Sequence, residues 1–228
     1  VTSQTQAQAA SGAAFHFDEV THRYTRADGL YVPSVTQVLK RVGYVDYSQV
    51  AADVLERASI RGTAVHQITE FLDTEFAGVP EAEIDLGPIN PEYLPYVQAW
   101  LRFKRECDVQ ILDSEIQGIA EINGMPVGFK YDTRALVNGR EAIIEKKTCA
   151  EEYGYWGLQL AGYDLALPQC KTQLHRERYA VQLRNNGTYR MCPGTAGGYS
   201  DANDYHAFTW ALAICWDQLN RGFKFEEA

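Results

Sequence analysis

Three Asn-Gly pairs, Asn123-Gly124, Asn138-Gly139 and Asn186-Gly187, each separate two runs of strand-forming residues. Both members of such a pair tolerate the positive φ of a tight turn, so each pair predicts an antiparallel hairpin. The middle pair constrains the fold most, because it sets Val127-Gly-Phe-Lys-Tyr-Asp132 beside Ala142-Ile-Ile-Glu-Lys-Lys-Thr148 and brings Asp132 towards Glu145. Side chains alternate faces along a strand, so Glu145 and Lys147 project from one side and Lys146 from the other. Two carboxylates and an ammonium then converge. Carboxylate oxygens suit hard cations such as Mg²⁺ or Mn²⁺, and a lysine beside them can ready a water or hold a phosphate. An isolated Glu-x-Lys on a strand is usually a solvated face, so its neighbours decide its meaning.

Upstream, Val1 to Ala13 is rich in Gln, Ser, Thr and Ala without an apolar period. It predicts a flexible arm, leaving residues 14–228 as a single domain with an N-terminal helical elaboration. Phe15 to Asp18, His22 to Thr25 and Leu30 to Val32 predict a small antiparallel sheet. Ser34 and Gln37 have the spacing of a capping box, starting a helix through Val38 and Leu39. A helix N-terminus also attracts anions, so Ser34 and Thr36 either only cap this helix or also hold a phosphate. From Ser48 the apolar spacing is helical again, and Arg61-Gly62-Thr-Ala-Val-His66 to Glu70 puts Gly62, His66 and Glu70 on one face. Ala77 to Asn90 reads as an acidic surface loop. Asn90-Pro91 predicts the cap of a helix reaching Arg105, whose buried stripe includes Tyr96, Val97, Trp100 and Phe103.

Downstream, Val109 to Ile122 predicts a strand carrying Glu115 and Glu121. Glu151 to Leu167 predicts a helix on which Gln159 and Tyr163 share a face. A hairpin over Arg178 to Met191 follows, and then a helix capped by Asp201 whose Tyr205, Phe208, Leu212, Cys215, Trp216 and Leu219 cover the sheet. The acidic tail after Gly222 reads as loose.

Hydrophobic residues at 46% and charged ones at 22% describe an ordinary globular chain. No apolar run is long enough for a bilayer and no basic-then-apolar leader opens the chain, so the expectation is a cytoplasmic protein without a membrane partner. The five cysteines contain no Cys-x-x-Cys, which predicts neither a disulfide framework nor a zinc ribbon. A net charge of −9 argues against indiscriminate nucleic-acid binding. It leaves local clusters at Arg102, Lys104 and Arg105 and at Lys171, His175, Arg176 and Arg178, each readable as a basic track or as a solvated face.

The ordered series Gly62-x-x-x-His66, Glu115, Asp132, Glu145-x-Lys147 and Gln159-x-x-x-Tyr163 resembles the PD-(D/E)XK nuclease superfamily, and within it the RecB-like branch that includes phage exonucleases. The resemblance runs from about Phe15 to Gln218. It implies an α/β fold with a restriction-endonuclease-like core, a central mixed β-sheet flanked by helices. It further implies that His66, Asp132, Glu145 and the Lys146 carbonyl ligate one or two Mg²⁺ or Mn²⁺ ions, and that Lys147 orients or deprotonates a water. Gln159 and Tyr163, with Ser34, Thr36 and Arg61, would position DNA. Glu115 and Glu70 would stand behind the ligands, with Glu121 a competitor for the place of Glu115. The iron–sulfur cluster of some relatives needs closely spaced C-terminal cysteines, and their spacing is absent here, so no cluster is expected. Gly128-Phe-Lys-Tyr-Asp132 is one residue longer than the commoner Gly-x-x-Asp, and a β-bulge is expected to absorb the difference.

The implied function is a Mg/Mn-dependent deoxyribonuclease, an exonuclease of phage or prophage type serving recombination, replication or repair with a recombination or annealing protein. Structure- or site-specific endonucleases and catalytically silent DNA-binding modules share the fold. Oligomeric state is left open. Crowded carboxylates oppose each other's ionisation without metal. Asp132→Asn is therefore expected to abolish cleavage and leave the metal-free protein at least as stable.

Overall fold

Asn138 and Gly139 take φ of 49° and 77°, and Asn123 and Gly124 of 52° and 75°. These turns close β5 (Met125–Val137) onto β6 (Arg140–Lys147) and β4 (Val109–Ile122) onto β5. The third Asn-Gly pair joins β7 (Glu177–Leu183) to β8 (Tyr189–Cys192), with the Asn186 Oδ1 accepting from the Thr188 amide. In this computed structural model the described residues are 15–18, 23–76, 79, 83–194 and 198–223. The expected arm, His22, part of the acidic loop and the tail beyond Phe223 lie outside them.

The five strands form one mixed sheet in the order β4-β5-β6-β7-β8. Only β6 and β7 run parallel among its pairs, because α4 (Trp156–Ala166) crosses over between them. Apolar residues of α1 (Val35–Arg41), α4 and α5 (Asn203–Asn220) pack with Val127, Phe129, Tyr131 and Ile143 in one cluster. A second cluster joins Val65 of α2 (Ala52–Glu75) and Trp100 and Phe103 of α3 (Leu94–Glu106) to Ala135, Ile144 and Val181. The sheet is therefore flanked by helices. The small sheet β1 (Phe15–Asp18), β2 (Arg23–Arg26), β3 (Tyr31–Val32) packs against β5 at Gly128. A Cβ there would sit 2.4 Å from the Tyr24 ring, and the Tyr24 hydroxyl donates to the Phe129 carbonyl at 3.0 Å. Gly128 is thus required by close packing. Gly62 is not: a Cβ there would meet only Thr148 Oγ1 at 3.8 Å.

Several boundaries differ from the sequence reading, each for a local reason. The Asn90 Oδ1 accepts from the Glu92 amide, so Asn90 closes a turn ahead of α3 instead of capping it. The helix read from Glu151 starts later, at Trp156, and the chain just before Glu151 is tied to β7 by Gln182 Nε2, which donates to the carbonyls of Cys149 and Ala150. Ser48 belongs to a turn on Asp46, and α2 starts later, at Ala52. Asp201 accepts from the Asn203 amide, but the N-cap is Ala202. The register shift expected in β5 falls in β4, between Ile111 and Asp113, while β5 pairs without interruption from Met125 to Tyr131. Among the described residues no helix is long and apolar enough to cross a membrane.

Candidate metal centre

The site forms where two strands part. β5 and β6 pair from Val137 and Arg140 only as far as Thr133 and Ile144, whereas β6 stays with β7 to Lys147. Asp132 lies just past the last rung, and its Oδ2 accepts from the Lys146 amide at 2.6 Å, in place of a strand carbonyl. Glu115 sits across from it, between Ser114 and Ile116, which pair with Thr133 and Tyr131. Glu115 has φ of 53°, a left-handed conformation that costs an L-residue about 1 kcal/mol. From α2, His66 Nδ1 lies 3.3 Å from Asp132 Oδ1 and 3.6 Å from Glu115 Oε1, while Nε2 lies 3.2 Å from the Lys146 carbonyl. One donor atom from each of His66, Glu115 and Asp132 falls within 4.8 Å of the others, and this group could hold a metal ion.

Glu145 and Lys147 stand beside this group and are fixed by α4. Lys147 Nζ donates to Glu145 Oε1 at 3.0 Å and to Gln159 Oε1 at 3.1 Å. Gln159 Nε2 donates to Glu145 Oε1 at 3.1 Å and to the Tyr163 hydroxyl at 3.0 Å. Glu115 Oε1 and Glu145 Oε2 are buried without a hydrogen-bond partner. Buried carboxylate oxygens are costly unless a donor or a cation meets them. Oxygen donors with one imidazole nitrogen and no thiolate suit a hard divalent ion.

The charges here are interdependent. Burial pulls the His66 imidazole down, but the carboxylates of Asp132 at 3.3 Å and Glu115 at 3.6 Å outweigh it and push the pKa up to about 10. Burial pushes Asp132 up, yet His66, then Lys146 and Lys147, hold its carboxyl below the usual range. For Glu145 burial and the charge of Asp132 both push up, and Lys147 and His66 only partly offset them. Lys147 is pulled down by burial but held above its ordinary value by Glu145 and Asp132. Lys130 Nζ, 3.0 Å from Glu115 Oε2, adds another cation. The expected crowding of acids is therefore met by cations of the chain itself.

A pH dependence follows. His66 gains proton affinity on folding, so its contribution is complete below its unfolded pKa of about 6.5 and lost as pH rises towards 10. Glu145, also raised, acts in the same direction, losing its contribution as pH rises through its folded pKa. In chelator the melting temperature is expected to fall by roughly 10 °C between pH 6.5 and 10. A flat thermal-unfolding profile over that range would show that the acids do not hold the imidazolium.

No family model matches this chain, and no curated protein matches it.

The structure brings His66, Asp132, Glu145, Lys147, Gln159 and Tyr163 to one place, but several roles shift. Glu115, expected behind the ligands, stands among them, while Glu121 is exposed beside the Asn123-Gly124 turn. The Lys146 carbonyl faces the His66 ring, whose Nδ1 faces the acids. Gln159 and Tyr163 are buried and turned towards Glu145 and Lys147. Glu70 is at the edge, its carboxyl pushed up by burial and by Glu115. Ser34 closes a reciprocal capping box with Gln37. Arg61 lies over the Tyr96 ring with Nη2 3.4 Å from the Thr148 carbonyl, and its buried Nε has no hydrogen-bond partner.

Most members of the two basic clusters are paired with acids. Arg102 pairs with Glu106, Lys104 with Asp73, Arg176 with Glu141 and Asp164, and Arg178 with Asp204. Two residues at the site were missed by sequence reasoning. Lys130 is two positions before Asp132, and strand alternation puts such a pair on one face. Asp73 is seven positions after His66, about two helical turns along the same side of α2.

Proposed function

We propose that this chain is a Mg²⁺- or Mn²⁺-dependent DNA nuclease built on a restriction-endonuclease-like core and working as an exonuclease. The observation that carries this reading is the meeting of an imidazole, three carboxylates and a lysine at the point where β5 and β6 separate. His66 Nδ1, Glu115 and Asp132 would hold the ion, with the unpartnered Glu145 Oε2 as the further oxygen donor. When bound, the ion polarises the scissile phosphate and acidifies a water. The Lys146 carbonyl accepts from His66 Nε2–H, a hydrogen bond that fixes the tautomer and keeps Nδ1 on the acids. Lys147, held in its charged form, donates rather than accepts: it orients the attacking water and meets negative charge on the phosphate. Gln159, backed by Tyr163, keeps Lys147 and Glu145 in register. The exposed Thr36 and the half-buried Arg61 would meet the DNA backbone. In a bacterial cell such an activity, phage or prophage encoded, would prepare ends for recombination, replication or repair beside an annealing protein.

The test is incubation of end-labelled linear duplex, single-stranded and covalently closed circular DNA with Mg²⁺, Mn²⁺ or chelator. Linear DNA is expected to shorten progressively only with the ion present, while circles stay intact. Cleavage of circles would reassign the chain as an endonuclease. No cleavage of any form would make it a silent binding module and end the nuclease reading.

A further inference from the structure

Lys146 sends its side chain away from Glu145 and Lys147, into the packing between the sheet and α2 and α3. Its Nζ lies 3.8 Å from Asp73 Oδ2 and 4.9 Å from the centre of the Trp100 ring, with both charged side chains at 0% exposure. The ammonium has no hydrogen-bond partner. Asp73 is better served: Trp100 Nε1 donates to its oxygens at 3.0 and 3.2 Å, and Lys104 Nζ donates at 2.7 Å. One carboxylate on α2 therefore ties together α2, α3 and β6.

Stability does not account for the lysine. A buried ion pair is matched or bettered by hydrophobic residues of similar volume, and this ammonium lacks even a hydrogen bond. What distinguishes residue 146 is its backbone. Its amide grips Asp132 Oδ2 at 2.6 Å, and its carbonyl meets His66 Nε2 at 3.2 Å. His66 and Asp73 sit about two turns apart on α2, so the helix meets Lys146 twice, once at the carbonyl and once at the ammonium.

We propose that the Asp73–Lys146 pair is a positioning device, locking α2 on β6 at the register that assembles His66, Glu115 and Asp132 before any ion arrives. The inference rests on the metal-centre part of the proposed function and not on nuclease activity. Asp73 and Lys146 are positioning residues: they act through His66 and Asp132.

Lys146→Met separates positioning from packing, because Asp73 keeps Trp100 and Lys104 as partners and the buried charge is gone. Its melting temperature is expected to fall by less than that of Asp73→Asn, because removal of an unbonded buried ammonium offsets part of the loosened His66 contact. In chelator the ring-nitrogen NMR signals of His66 are expected to move towards those of a solvent-exposed imidazole. Mn²⁺ affinity by calorimetry is expected to drop by roughly tenfold or more, as when other groups that orient metal ligands are removed. Asp73→Asn is the second variant. It leaves Lys146 charged and unpaired, so it should show the same two changes together with a loss of about 10 °C in melting temperature. Parent-like His66 signals in both variants would overturn the proposal and leave the pair a packing feature. Should the parent protein bind no Mn²⁺, the metal reading fails by itself, and the His66 signals in chelator still decide the positioning.

Discussion

Asp132→Asn is expected to slow phosphodiester hydrolysis by about a thousandfold or more and to lower the melting temperature of the metal-free protein by about 5 °C. The first effect follows from position. Asp132 Oδ1 faces His66 while Oδ2 holds the Lys146 amide, so one side chain serves both the ion site and the strand that carries Glu145 and Lys147. An amide supplies one acceptor where the carboxylate supplied two. If its oxygen keeps Lys146, its NH₂ is turned on the imidazolium. The second effect reverses what crowded acids alone suggest. His66, Lys146 and Lys147 hold the Asp132 carboxyl below its usual range, so the folded state favours this charge and loses stability when it is removed. Single-turnover cleavage with Mg²⁺ and thermal unfolding in chelator measure the two effects separately. An unchanged rate would take Asp132 out of the chemistry, and an unchanged or higher melting temperature would restore the view that the acids mainly repel.

The parts of the site were unequally legible in the sequence. Strand alternation and the Asn-Gly turns are local, and they suffice to place Glu145 and Lys147 on one side of β6 with Lys146 on the other. The helix carrying His66 and the pair Gln159 and Tyr163 can be read from spacing. What spacing does not reveal is register between distant segments. Glu115 comes beside His66 and Asp132 where β4 shifts register between Ile111 and Asp113 and Glu115 itself adopts positive φ. Neither event has a glycine or proline to announce it. Gly128, which reads as part of a motif, is explained by Tyr24 of a different sheet. Two partners of the site were hidden for the same reason: the cation Lys130 and the carboxylate of Asp73 acquire meaning only when β4 and α3 are brought against them. Arg176 and Arg178, readable in sequence as a basic track or as a solvated face, are committed to Glu141, Asp164 and Asp204, contacts made between separate elements.

Lys147→Met is expected to cut the cleavage rate by about a thousandfold while weakening Mn²⁺ affinity only near neutral pH and leaving it unchanged at higher pH. Lys147 is outside the ligand group, so its loss removes no donor to the ion. It does remove the ammonium that shares Glu145 Oε1 with Gln159. Glu145 Oε1 would then keep only the Gln159 amide as donor and Gln159 Oε1 would be left to water, and the proton affinity of Glu145, already raised by burial and by Asp132, would rise further. Near neutral pH the metal-free variant therefore carries more protonated Glu145. Divalent-ion binding must displace that proton, so any loss of affinity should disappear as pH rises. The rate should not recover with it, because no other ammonium lies on Glu145 Oε1 among the described residues. Measuring Mn²⁺ affinity and single-turnover rate across pH 6 to 9 distinguishes the roles. A rate restored at high pH would make Lys147 only a counter-charge for Glu145. A rate deficit that persists beside full metal occupancy is what a water-orienting lysine requires.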